Sequence, residues 1–356
     1  YYPDGTLQQT LTFRDGLKDG PVKVYSEEGV LLQAGQFVQD TLTDTLNIFY
    51  PSGQLRSITV FRKGKPDGPV TEYYEDQSLK QVVNYSNGKV NGVTKTYFAN
   101  GQLKTEENYT NGVVTGYFKT YYENGQLETE SSKNSGKRNG AFKSFSPTGV
   151  LLIDGHYTNG QLDGKNTSWY EDGSLRHKFQ YSNGFKTGVN TTYYPSGHIK
   201  SKNSYDNKEQ DVKIRAFYDN ENPLESTQKV NGKEDGEWNF WYENGQLKST
   251  ESYDNGVRIS NRIEYAENGQ VLLIIPYVGN RKEGIEKAFY TDGKQKYEKS
   301  YQSGKLHGEY KSYYEDGTPE EIGAYAGGRK TGDWIKYADS GEVIKSETYK
   351  NGELIK

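Results

Sequence analysis

The chain contains neither cysteine nor methionine in its 356 residues. Disulfides, thiol chemistry and thiolate-bound metals are therefore excluded, while an oxidising compartment poses no difficulty. Histidine is scarce: His156, His177, His198 and His307 are the full set, and no two stand at metal-ligand spacing. No metal site and no cofactor are expected. The longest apolar run, "VLLII" (271–275), is too short to cross a bilayer as a helix. Neither sign of charge dominates, with 44 Lys and Arg against 48 Asp and Glu spread along the whole length. That balance argues against a nucleic-acid stripe or a polybasic membrane patch. Mean hydropathy is −0.98, low for a compact core but compatible with a thin sheet.

What the sequence has in abundance is repetition. The stretch "WYENGQLKSTESYDNG" (241–256) recurs with a period of 24 residues and no insertion or deletion. Its turn glycine, Gly245, returns at Gly5, Gly29, Gly53, Gly101, Gly125, Gly149, Gly173, Gly197, Gly269, Gly293, Gly317 and Gly341, missing only at Gln77 and Glu221. The aromatic four residues earlier is present in all fifteen registers, from Tyr1 to Tyr337. A period of this length indicates stacked supersecondary units in one array over 1–356, not separate globular domains.

Each unit reads as a β-hairpin, since both flanks of the turn are strand-length and rich in aromatics, Thr and Ser. Proline two residues before the turn glycine, in "YPDG" (2–5) and "YPSG" (50–53, 194–197), fits a type I turn followed by a left-handed glycine. The resulting three-residue loop sets Trp241 opposite Leu247. Counting by twos then adds Tyr253 to the same face, which predicts one apolar face built from these three columns. The second connection, as in "YSNGKVNG" (85–92), reads as a longer loop with two glycines. The fold class expected is all-β, an elongated array of antiparallel hairpins forming a single-layer twisted meander.

The copies "NGVVTGYFKTYYENGQLETE" (111–130) and "SGKLHGEYKSYYEDGTPEE" (303–321) resemble the MORN repeat variant, whose bacterial form is described as a YwqK-like antitoxin repeat. The resemblance extends over essentially the whole chain. It implies a hairpin array with a role in protein interaction or scaffolding, and it implies no chemistry. A weaker likeness, to choline-binding cell-wall repeats, founders on the rarity of tryptophan: Trp169, Trp238, Trp241 and Trp334 only.

Two features stand out as candidate binding elements. One is a tyrosine column beside the first aromatic column, including Tyr50, Tyr74, Tyr122, Tyr170, Tyr194, Tyr218 and Tyr242. Alternation places it on the face opposite Trp241, where it either shields the turn or offers a ladder for a protein or glycan. The other is the degenerate repeat at about 206–229. There Glu221 replaces the turn glycine, Lys208 and Val212 replace loop glycines, and Pro223 and Leu224 begin the second strand. A bend or loosened hairpin is expected, with a role in docking a partner. Repetition of every polar column leaves no unique constellation for catalysis. The expectation is a non-enzymatic scaffold for a protein partner, with a glycan as a second possibility, and with neither nucleic acid nor an integral membrane segment. The cell envelope or secretion is favoured. The rival readings are a cytoplasmic antitoxin-like protein that neutralises a toxin and a surface glycan-binding module. Residue 1 falls inside a repeat, so any leader or anchor is expected to lie outside this sequence.

Overall fold

A computed structural model describes residues 1–356, the side chain of Asn207 excepted. Its secondary structure is thirty-seven β-strands and one 3₁₀ turn, Asn207–Glu209, with no α-helix among the described residues. The chain divides into two compact units, Tyr1–Ser174 with Tyr181–Gly184, and Leu175–Gln180 with Phe185–Lys356. Each is built on an open antiparallel sheet of sequentially paired hairpins, and in the second Tyr277–Val278 and Arg281–Lys282 form a separate two-stranded sheet.

The first connection in each repeat is the expected three-residue loop. Gly245 N–H donates to the Tyr242 carbonyl at 2.9 Å, and Tyr242 N–H donates to the Gln246 carbonyl at 2.9 Å. Gly245 has φ +85°. This is a type I turn closed by a glycine bulge. Trp241 pairs with Leu247 as predicted, but the register slips at the next step, and Phe240 pairs with Ser249. Lys248 is the extra residue, and one extra residue reverses the parity of everything after it. Tyr253 therefore lies on the face opposite Trp241, together with Trp238 and Glu251. The ring centroids of Trp238 and Tyr253 are 5.3 Å apart, and those of Trp334 and Tyr349 6.4 Å. The single apolar face predicted from Trp241, Leu247 and Tyr253 is thus corrected: the first two share a face and the third does not.

The true core runs along the Trp238 face. In the first unit it includes Val22, Thr94, Ser131 and Asn166, and in the second Asn190, Thr227, Ile275, Glu286 and Trp334, all at most 8% exposed. Residue size at these positions varies because each shares its space with a neighbour on the adjoining strand. A Cβ on Gly323 would stand 2.2 Å from the Trp334 ring, and one on Gly155 would stand 2.5 Å from the Asn166 amide. Large side chains occupy room vacated by glycine, which preserves close packing from pair to pair.

The second connection is shorter than the sequence suggested. Thr110 pairs with Val113 around Asn111 (φ +51°) and Gly112 (φ +87°), a two-residue type I′ hairpin turn. The surplus residues sit further along the strand. There the register shifts between Glu107 and Tyr109, opposite the positive-φ Gly116. Between 201 and 216 that arrangement changes. Val212 stands at the bulge-glycine position and resists positive φ. Pairing instead runs unshifted from Ser201–Ala216 to Asp206–Asp211, and the surplus moves into the connection as the 3₁₀ turn. Lys208 (φ +54°) and Glu209 (φ +68°) take the left-handed conformations there.

Candidate functional site

The tyrosine column lies on the core face, and its hydroxyls are occupied. In the first unit Tyr50, Tyr74 and Tyr122 donate to the carbonyls of Tyr73, Tyr97 and Phe145 at 2.8–2.9 Å. In the second, Tyr194, Tyr218 and Tyr242 donate to those of Phe217, Trp241 and Tyr265 at 2.8–2.9 Å. Each tyrosine ties one hairpin to the next and is half-buried, as is Tyr170. A basic side chain lies over several of the rings, with Arg56 on Tyr50 at 5.9 Å and Lys80 on Tyr74 at 5.9 Å. Lys200 lies over Tyr194 at 5.3 Å and Lys248 over Tyr242 at 5.4 Å. The column works chiefly as an inter-repeat tie, and at Tyr50, Tyr74, Tyr194 and Tyr242 one ring face is already engaged.

The degenerate repeat keeps its hairpin. Glu221, with φ +68°, closes the turn as glycine does elsewhere, its N–H donating to the Tyr218 carbonyl at 3.0 Å. Pro223 pairs with Phe217 at the start of its strand, where a missing N–H is tolerated. Pairing from Val212–Lys229 to Ala216–Glu225 is as regular as in the hairpin at 113–134. The expected loosening at 206–229 is corrected accordingly: the departure is confined to the 207–210 connection. Nor are the three candidate residues of this repeat brought together. Leu224 lines a cavity of about 370 Å³ on the core face with Tyr218, Phe240 and Lys248. Pro223 lines one of about 220 Å³ with Arg215, Phe217, Glu225, Ser226 and Trp241. Glu221 lines neither.

The face opposite the core carries a feature that inspection of the sequence missed. Directly opposed residues form a continuous row across the strands of each unit. In the first unit the row passes through Ala34, Asn47, Ile58, Thr71 and Val82 and then becomes charged as Lys95, Glu106, Lys119, Glu130, Lys143, Asp154, each paired with the next. Lys95 and Glu106 are 3.5 Å apart. Opposite charges facing each other stabilise a sheet. In the second unit the row starts Lys178, Thr191, Lys202, Arg215, Ser226. Lys202 and Arg215 are directly opposed like charges, and Lys213 lies two residues along the strand from Arg215. All four basic residues are exposed, and none forms an ion pair among the described residues. A basic cluster therefore exists where the sequence showed only balanced charge. Its signature is an alternating spacing of 11 and 13 residues, legible only once the register is known.

The histidines form no metal cluster, and no group of three or more potential ligands occurs among the described residues. His198 Nδ1 faces the Asp219 carbonyl at 2.5 Å, and that contact raises its pKa above the ordinary value. Burial lowers that of His177, whose ring stacks on Phe179 at 4.2 Å.

With this geometry established, comparison with known proteins identifies the repeat. The profile of the MORN repeat variant matches residues 90–111, 114–132, 138–159, 162–183, 186–207, 234–255, 282–303, 306–326 and 330–351, more than half of the chain. The chain belongs to the MORN repeat variant family. The profile leaves 1–89, 208–233 and 256–281 unmatched, although antiparallel hairpin pairing continues through 208–233. No curated protein matches the chain. Among solved structures, a TcdB2–TccC3–Cdc42 crystal structure is similar at 14% identity over 94% of this chain and 19% of that one, with a TM-score of 0.18. A TcdB2–TccC3 structure is similar at 14% identity over 96% and 22%, also with a TM-score of 0.18. The chain thus spans about a fifth of the length of these structures, and at such TM-scores the likeness bears on neither fold nor partner.

Proposed function

We propose that this MORN-variant protein is a non-enzymatic scaffold that binds a protein partner through the face opposite its core, in the cell envelope. The observation that supports this most is the basic cluster at Lys178, Lys202, Lys213 and Arg215. A row whose charges alternate in sign from Lys95 to Asp154 leaves like charges directly opposed at Lys202 and Arg215. Such an arrangement costs stability in the free protein and gains a rationale if a partner supplies the counter-charge. Polar residues recur cyclically along both units, which supports a binding role over a catalytic one. The test is affinity capture from the native cell with the full chain, side by side with a Lys202→Glu/Arg215→Glu variant. Specific capture of a protein by the wild type supports the reading. Capture of nothing, by either form, contradicts it.

A further inference from the structure

We infer that the basic row of the second unit is a docking groove for an acidic peptide segment of a partner protein, with one apolar side chain of that segment seated against Trp241. The inference rests on the scaffold reading above and names the chemistry of what it binds.

Three strand spacings separate Lys178 from Arg215, roughly 15 Å at about 4.8 Å each. An extended peptide rises about 3.3 Å per residue and turns alternate side chains toward one surface. About five of its residues would cross the row, with acidic side chains at alternate positions meeting Lys178, Lys202 and Arg215. The next step beyond Arg215 is Ser226, which borders the cavity of about 220 Å³ formed with Phe217, Pro223 and Trp241. That cavity is smaller than the roughly 300 Å³ at which small-molecule sites begin. Its apolar walls are Ala216, Pro223 and two aromatics, beside Arg215 and Ser226 at the end of the charged row, a place for one apolar anchor. The carboxylate in its lining, Glu225, accepts a hydrogen bond from the Thr227 hydroxyl at 2.9 Å.

A peptide fits better than an anionic lipid surface. The positive strip is narrow, widening only where Lys213 flanks Arg215, and is bounded by Asp211 on the Lys213 strand and by Glu237 two strands away, both of which a membrane would also meet. A narrow row of charge ending in a cleft matches a single extended chain.

The experiment uses the full chain and a fluorescein-labelled synthetic peptide alternating Glu and Ser, ending in Trp, read by fluorescence anisotropy. Controls are the same peptide with Lys for Glu, the peptide with Ala for Trp, and vesicles of phosphatidylserine and phosphatidylcholine. Saturable binding of the acidic peptide is expected, weakening as salt rises and becoming at least about tenfold weaker in Lys202→Glu/Arg215→Glu, because both charge contacts reverse. Trp241→Ala should erase the preference for the Trp-terminated peptide and leave the acidic requirement intact. Equal binding to the double variant would overturn the inference, as would vesicle binding that depends on Lys202 and Arg215 without peptide binding. Partner capture by the full chain that is insensitive to Lys202→Glu/Arg215→Glu would leave the scaffold reading standing and remove this one.

Discussion

Replacing Trp334 by alanine tests the packing scheme where it is most explicit. The indole is 3% exposed, its centroid lies 5.4 Å from Tyr310, 5.0 Å from Tyr325 and 6.4 Å from Tyr349, and Lys330 Nζ stands 3.7 Å from its ring. Its Nε1 donates to the Ala324 carbonyl at 3.2 Å. Truncating a buried tryptophan costs about 3–5 kcal/mol through lost transfer energy and the cavity left behind. The reciprocal change, Gly323→Ala, places a Cβ 2.2 Å from the same ring and forces it to move. That overpacking costs about 1–3 kcal/mol. Because the two side chains claim one volume, the costs are coupled. In a Trp334→Ala background the Gly323→Ala methyl enters the cavity and becomes neutral or stabilising, a coupling of about 1–3 kcal/mol. Urea unfolding of the wild type, both singles and the double gives that coupling, and hydrogen exchange locates the loss, which nearest-neighbour stacking confines to the repeats flanking 310–349. Additive effects in the cycle, or a neutral Gly323→Ala in the wild type, would refute the idea that core volume is conserved across adjacent strands and not within a column.

Four further outcomes are expected. Arg258 and Glu251 form an ion pair at 2.8 Å with side chains 17% and 11% exposed, so Arg258→Met should cost about 3–5 kcal/mol and the double variant with Glu251→Leu far less, as read by chemical denaturation. Arg215→Glu replaces a like-charge pair with an opposed one, which should stabilise the free chain by about 0.2–1 kcal/mol while weakening peptide binding; loss of both stability and binding would mark Arg215 as structural. Tyr122→Phe removes one inter-repeat hydrogen bond and should cost about 0.5–1.5 kcal/mol without changing peptide binding, the two readouts being unfolding and anisotropy. For the histidines, NMR titration should put the His198 midpoint above 6.5 and that of His177 below it. A raised folded pKa gives stabilisation that is complete below 6.5 and lost as pH rises through the folded midpoint. The depressed His177 works in reverse, its contribution fading as pH falls below 6.5. Midpoints in the opposite order would remove the assigned contacts.

The repeat and its first turn were legible in the sequence because they depend on single columns: an aromatic in every register and a glycine that must take positive φ. The assignment of faces was not. One surplus residue, Lys248 and its counterparts, reverses parity in mid-strand, and an exposed lysine leaves no mark in a hydrophobic pattern. The core column was hidden for a related reason. Val22, Asn166, Glu286 and Trp334 share no chemistry, since selection by packing acts on the sum of two residues from adjoining strands, such as Gly323 with Trp334. At 206–229 the lost glycines were visible, but their consequence was not. The chain absorbs Val212 by moving two residues from a bulge into the 207–210 connection, so the hairpin itself survives. Glu221, Pro223 and Leu224 were singled out as one element. Of these only Pro223 borders the basic groove, whose charged members lie in three strands that no local reading of the sequence joins.

Lysine-directed cross-linking of the full chain to the partner it captures, with mass spectrometric mapping, tests the central claim most directly. Cross-links concentrated at Lys178, Lys202 and Lys213, abolished by excess acidic peptide, are the predicted result. Cross-links that fall instead on Lys95, Lys119 and Lys143, or that persist unchanged with peptide present, would contradict the claim that this chain binds its partner through the uncompensated basic row.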